Sequence, residues 1–138
     1  FAPPLYYNAI YFVATNDDTG ISSLYRDLGE GGKEVKEGGV VVSEHAEVIA
    51  EHIEDFQCAF ILDDGTIIND RDDLTDDEID RIRMVRLHVV GRTAHEHRQS
   101  GGEFTGNRPQ IEDHAPGATD NYRRRHLQFA VKVRNFGL

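Results

Sequence analysis

The segment RRHLQFAVKVRN, residues 124–135, alternates apolar and polar side chains with a period of two. Leu127, Phe129 and Val131 fall on one side of an extended chain, and the intervening residues fall on the other. Strict alternation of this kind is typical of a β-strand with one apolar face. The segment is therefore predicted to form a strand.

A second alternating segment, RIRMVRLHVVGR, occupies residues 81–92. Its two faces comprise Val85, Leu87 and Val89 on one side and Arg86 and His88 on the other. Met84–Arg92 and Arg125–Asn135 have similar lengths and are joined by one long loop, Gly91–Asn121, with little periodicity. We expect the two segments to be adjacent antiparallel strands.

The rest of the chain adds more strands and little helix. A hairpin is predicted from Asn8–Thr15 and Ile21–Leu28, because aromatic and β-branched residues flank the turn NDDTG. Further predicted elements are a flexible connection over residues 29–39, a short strand over 40–43, a short helix near Glu44–Ala50, a strand over His52–Leu62, and one helical turn from Asp76 to Asp80 after the Thr75 cap. The fold class is α+β with a mostly antiparallel β-sheet, in a single domain over residues 1–138.

Composition excludes several classes of protein. The 138 residues have 25 Asp plus Glu against 15 Lys plus Arg, a net charge of −10, which argues against nucleic-acid binding. No stretch of about 18 apolar residues is present for a membrane helix. The single cysteine, Cys58, lies in an apolar strand and is interpreted as a core residue.

No metal site, cofactor or catalytic motif is predicted. The nearest candidates for zinc or copper are His95 and His97, two residues apart in the long loop that also contains His114, and calcium candidates are Asp70, Asp72 and Asp73 in the acidic segment. Neither set matches an established spacing. No nucleophile elbow or phosphate-binding glycine loop occurs, so the protein is not predicted to be an enzyme.

The basic residues near the end of the chain are predicted to form an interaction surface. A run of three arginines precedes the last strand of an acidic protein, and further cations lie on that strand and its neighbour. We expect these side chains to contact carboxylates of the domain itself or of a neighbouring subunit. The residues concerned are Arg86, Arg123, Arg124, Arg125 and Arg134.

In order and spacing, the motifs resemble the C-terminal part of PilW-like minor pilins, type IV pilus assembly proteins related to the minor pseudopilin J of type II secretion. The resemblance runs from about Tyr11 to Asn135 and includes the following segments: YFVA, SSLYRDL, VIAEHIEDFQCAFILDDG, IRMVRLHVVGRTAHEHR and YRRRHLQFAVKVRNFGL. Its most specific part is the last strand, with Arg124, Arg125, Arg134 and Asn135.

The resemblance implies a pilin-like globular domain in a non-enzymatic filament subunit. It implies partners among other pilin or pseudopilin subunits, and a place in an extracellular filament or the periplasm, with inner-membrane anchoring before assembly. Family members begin with a long helix that packs on the sheet. That helix is not in this sequence, because Pro3, Pro4 and Leu5 do not fit its start, so we expect it to be removed or supplied by a separate chain.

Two alternatives to a pilus subunit remain open at the level of sequence. One is a type II secretion pseudopilin, and the other is an extracellular β-sandwich module that binds carbohydrate or protein. A metal-dependent enzyme built on the loop histidines is a third class, which requires bound zinc. The pilus-subunit hypothesis predicts an uncovered apolar sheet face, which distinguishes it from the β-sandwich module.

Overall fold

The computed structural model of the chain describes residues 8–96, 98–99, 102–103 and 106–133. These residues form antiparallel β-sheets with very little helix, which confirms the predicted fold class. The chain divides into two compact units, one up to Glu54 and one from Asp55 onward. The prediction of a single domain over residues 1–138 stays a prediction.

The first unit is a four-stranded sheet with the order β1-β2-β4-β3. Its strands are β1 (Ile10–Thr15), β2 (Ser22–Asp27), β3 (Lys33–Glu37) and β4 (Val40–Glu51). The pairs β1–β2, β2–β4 and β3–β4 are all antiparallel. The predicted hairpin of β1 and β2 is confirmed.

Two predictions for the first unit are wrong. Residues Glu44–Ala50, predicted as a short helix, belong to β4, and the predicted flexible connection contains β3. Strand β4 is paired on both sides, and ladder formation with two neighbours overrides a local helical pattern. Val35, the one apolar residue of β3, is buried, which explains why this charged segment is held in the sheet.

A small core holds the first unit together. It consists of Ala14, Tyr25, Val35 and Ala46, with Phe12 packed against it. The rings of Phe12 and Tyr25 stack with centroids 5.4 Å apart. Each of the four strands contributes to this cluster, so the core links the whole sheet.

Two features fix the turns of the first unit: hydrogen bonds from backbone amides to an aspartate, and a close backbone approach at a glycine. The carboxylate of Asp17, after β1, accepts hydrogen bonds from the amides of Gly38 and Gly39 at 2.9 and 2.8 Å. Gly32, just before β3, has φ +63°, and a Cβ on it would lie 2.6 Å from the carbonyl carbon and oxygen of His45. Only glycine fits this approach of β3 to β4.

The second unit contains a four-stranded sheet with the order β10-β7-β5-β6. Its strands are β5 (Ile53–Leu62), β6 (Ile67–Ile68), β7 (Ile82–Arg92) and β10 (Arg124–Lys132), and a separate two-stranded ladder is formed by β8 (Arg98–Gln99) and β9 (Gly102–Glu103). Strands β7 and β10 are antiparallel neighbours with an unbroken register, as predicted.

The acidic segment between β6 and β7 contains a 3₁₀ turn, Arg71–Asp73, and the helix α1, Asp76–Ile79. The Thr75 side chain caps α1 by accepting from the Glu78 amide, which confirms the predicted helical turn. Arg81, just before β7, forms ion pairs of 3.0 and 2.9 Å with Asp63 and Asp64 in the turn between β5 and β6. The segment is therefore ordered by local capping and ion pairs.

Within the described part of the chain, no helix is long and apolar enough to span a membrane.

Candidate functional site

The ladder of β7 and β10 has two chemically different faces. Antiparallel register places directly opposed residues on the same face. The apolar face consists of the pairs Val85–Val131, Leu87–Phe129 and Val89–Leu127, and the polar face of the pairs Arg86–Ala130, His88–Gln128 and Val90–His126.

The loop over residues 106–120 lies against the polar face. Backbone bridges join Gly106 to Asp120 and Ile111 to His114, and the Ile111 side chain is only 2% exposed. Between them, Glu112 adopts φ +50°, which turns the chain back on itself. This half of the predicted loop is therefore a folded cover.

The first anchor of the loop is Asp55 on β5, whose side chain is 4% exposed. Its Oδ2 accepts from Arg108 Nη1 at 2.9 Å and lies 2.9 Å from His114 Nδ1. Its Oδ1 accepts from Gln57 Nε2 at 2.8 Å. Arg108 also donates to the carbonyl of Ala115, so a single arginine joins the strand to both sides of the loop turn.

The second anchor is Glu112, which meets two residues of β7. Arg86 donates to it through Nε at 2.5 Å and Nη2 at 3.0 Å, a bidentate arrangement. His88 Nε2 lies 2.8 Å from Glu112 Oε1, and His88 Nδ1 lies 2.8 Å from His126 Nε2 on β10. The Arg86 guanidinium, aided by His88, lowers the pKa of Glu112 below its ordinary value.

The third anchor closes the end of the loop. Arg124 forms a two-pronged contact with the carboxylate of Asp120, with Nη1 2.7 Å from Oδ1 and Nη2 on Oδ2. Arg124, together with the amide of Tyr122 and the charge of Arg92, lowers the pKa of Asp120. The Arg92 guanidinium also lies 4.5 Å from the centre of the Tyr122 ring. The loop is thus tied to its own following strand.

The predicted basic surface is only partly assembled around these anchors. Arg86 and Arg124 contact carboxylates of the domain itself, which was one of the two kinds of partner expected from the sequence. Arg125 is exposed on β10, and the Arg123 amide donates to Thr93 Oγ1 at 3.3 Å. Arg134 lies outside the described residues. A role for these side chains in contacts between subunits stays a prediction.

The described metal candidates lie in two separate places. His95 is exposed in the turn after β7, and His97 lies outside the described residues. Asp70 caps the 3₁₀ turn by accepting from the Asp72 amide at 2.9 Å, and Asp73 is in the same turn. Among the described residues, no group of three or more potential ligands is arranged to hold a metal ion.

The apolar face of the ladder is open. On β10, Leu127, Phe129 and Val131 are 46%, 51% and 51% exposed. On β5, which lies on the other side of β7, Cys58 is half-buried and its pKa is raised by burial. The chain therefore covers the charged face over β7 and leaves the apolar side chains of β10 in contact with water.

Most of the loop anchors were not predicted from the sequence. Arg86 and Arg124 were predicted as interaction residues, but their partners Glu112 and Asp120 were not. The available signal was Asp55, a carboxylate in a mainly apolar strand, because a charge in such a strand requires a partner when it is buried. Its partners come from the long loop, which has no periodicity from which to predict them.

These groups satisfy one another, so the arrangement is suited to presenting a rigid loop surface. The family model for PilW, type IV pilus-assembly protein W, matches residues 10–135. This range includes both sheets, the three anchors and the open apolar face. Neither a curated protein nor a solved structure matches the chain significantly.

Proposed function

Because the chain belongs to the PilW family of type IV pilus-assembly proteins, we propose that it acts as a minor pilin, a non-enzymatic subunit that primes or builds the pilus. In this role it associates with other pilin subunits. Its place is the envelope before assembly, anchored at the inner membrane, and the filament after it. Membership of the family supports pilus assembly, and the minor pilin role is the proposal.

The open apolar face of the β7–β10 ladder is the observation that most supports this role. Three large side chains on one strand are half-exposed. An apolar partner that covers them stabilises the complex by about 25 cal/mol per Å² of apolar surface buried. Antiparallel sheets are commonly covered by a helix on one face. We propose that an amphipathic helix, from this protein or from a separate chain, packs on Leu127, Phe129 and Val131.

The loop of residues 106–120 supplies the second surface of such a subunit. It is held by partly buried ion pairs at Asp55 and Glu112, so its outer side is presented in one conformation. A pre-organised loop loses little conformational entropy on binding. We propose that this loop meets neighbouring subunits.

Deletion of the gene in its own bacterium tests the role. We expect the deletion strain to lose surface pili, counted by electron microscopy, and the wild-type gene to restore them. A matched pair of variants, Phe129→Lys and Gln128→Lys, puts the same charge on opposite faces of β10. Phe129→Lys should fail to restore pili because it charges the face that the helix covers, and Gln128→Lys should restore them.

Other outcomes separate the remaining alternatives. If the deletion strain keeps its pili and stops exporting folded proteins, the chain is a secretion pseudopilin and the minor pilin role is wrong. If neither property changes and the purified chain binds no hydrophobic dye, an independent binding module replaces both.

A further inference from the structure

Strand β10 forms one outer edge of its sheet. It is nine residues long, Arg124–Lys132, and it is the terminal strand in the order β10-β7-β5-β6. Every residue from Arg125 to Lys132 is exposed. No described strand pairs with its outer side. An edge of this length presents a row of backbone groups that another strand can pair with.

The register identifies which backbone groups point outward. The Thr93 amide donates to the Arg123 carbonyl, and the Val133 amide donates to the Arg83 carbonyl, both at 2.9 Å. In an antiparallel ladder, hydrogen-bonded pairs alternate with pairs whose groups point away. The odd-numbered residues of β10 are therefore bonded to β7. The outward amides and carbonyls belong to His126, Gln128, Ala130 and Lys132.

This edge has no bulge and no proline, two of the features that block pairing, and its charged side chains are its main protection. Its register with β7 has no bulge, and residues 124–132 contain neither proline nor glycine. The edge strand at the far side of the same sheet, β6, has only two residues. In the first unit, the edge strand β3 has five residues and two breaks in register with β4. By comparison, β10 is long, regular and open.

Charge and side-chain pattern indicate what fits there. Residues 123–133 contain four cations, Arg123, Arg124, Arg125 and Lys132, and no carboxylate, although the whole chain has a net charge of −10. Arg124 is paired with Asp120, whereas Arg125 and Lys132 are exposed. Pairing β10 with β10 of a second copy would bring these cations together, and like charges across a ladder are destabilising. A partner strand would match the polar face of β10 with carboxylates beside His126 and Lys132. It would match the apolar face with apolar residues beside Leu127 and Phe129.

We propose that the outer edge of β10 binds an extended segment of a partner protein in which apolar and acidic residues alternate. Backbone hydrogen bonds to the outward groups supply affinity, and the alternating side chains supply specificity. The added strand extends the sheet beyond β10. That the partner is another pilus component rests on the proposed function, whereas the edge itself does not.

A synthetic nonapeptide of alternating valine and glutamate is the probe. We expect the purified chain to bind it, as measured by the fluorescence anisotropy of labelled peptide, and to bind an alternating valine and lysine peptide at least about tenfold more weakly. Amide exchange measured by NMR locates the contact. Protection should appear on peptide binding at His126, Gln128 and Ala130, with Leu127 and Phe129 already protected in the free chain.

The variant Ala130→Pro removes one outward amide and leaves the odd-numbered bonds to β7 in place. It should weaken binding about tenfold, the loss expected when one hydrogen bond is removed and its partner is left unpaired. Ala130→Thr keeps the amide and should bind like the wild type. Both variants are first checked for a native circular dichroism spectrum, and the exchange data on the wild type decide the case if Ala130→Pro does not fold.

Three results would overturn the proposal: equal binding of the two peptides, no binding of either, or peptide binding without new protection on the even-numbered amides. Protection of the same amides that depends on protein concentration alone would make a second copy the occupant and exclude the acidic partner. These measurements use the purified chain, so their failure would not contradict the proposed role in pilus assembly. Unchanged pili in a deletion strain would likewise not contradict peptide binding at the edge of β10.

Discussion

The polar face of the β7–β10 ladder is buried at β7, whereas the apolar face is half-exposed at β10. On the polar face, His88 is 5% exposed beneath a loop of the same chain, while Phe129 on the apolar face is 51% exposed. Charged groups need partners at fixed distances and angles, which a chain most reliably supplies from its own sequence. Burial of apolar surface is non-directional, so a partner can supply it. The difference shows which contacts serve folding and which surface is available for assembly.

The largest effect is expected where the polar face is anchored. Asp55→Ala should lower the free energy of unfolding by about 3 kcal/mol, because it leaves the partly buried Arg108 without its carboxylate. Urea denaturation followed by circular dichroism measures the loss, and amide exchange should show residues 106–120 opening first. The matched control is Asp113→Ala, at an exposed position in the same loop, which should change the stability by less than about 0.5 kcal/mol. Equal losses in the two variants would show that Asp55 does not anchor the loop.

A smaller effect is expected from acid. Arg86 lowers the pKa of Glu112 in the folded chain, so ionised Glu112 favours folding. That contribution is complete above the ordinary glutamate value of 4.5 and is lost as the pH falls through the lowered folded pKa. Thermal unfolding from pH 7 to pH 2 should show this decline, and Glu112→Gln should be less stable at pH 7 and decline less steeply. A steeper decline in Glu112→Gln would contradict the assignment.

The smallest effect is expected on the open face. Phe129→Ser should change the free energy of unfolding by less than about 1 kcal/mol, because half of the side chain already contacts water. Binding of a hydrophobic dye should fall in the same variant. On the other face, Val90 is fully buried, and Val90→Ala should cost about 2 kcal/mol. If both substitutions destabilise equally, the apolar face is already covered within the chain and the comparison fails.

The strands of the second sheet were predictable because their alternation is set by burial on one side. Residues 81–92 and 124–132 gave the right element, partner and direction, since neighbouring strands joined by one loop have few other ways to pair. The Thr75 cap of α1 was predictable for a local reason, the threonine to glutamate spacing. In both cases, the strand pairing and the helix cap, the local sequence pattern is enough to predict the contact.

The errors fall where contacts distant in sequence decide the structure. Strand β3 has four charged residues of five, and only its pairing with β4 reveals it as a strand. Asp55 and Arg108 are 53 residues apart, and nothing in their local patterns connects them. Alternation predicted an apolar face for β10, whereas the expectation that this face is uncovered came from the family resemblance. Which face the loop covers depends on ion-pair geometry that single-sequence patterns do not contain.

The close approach at Gly32 has a consequence at the level of the gene. Glycine codons differ from one another only in the third base, and every change of the first or second base encodes a residue with a Cβ or stops translation. Because that Cβ would overlap the backbone of His45, such changes separate β3 from β4. In a library of random mutants selected for folded protein, codon 32 should vary only at its third base, while the codons of most exposed residues in β3 vary freely.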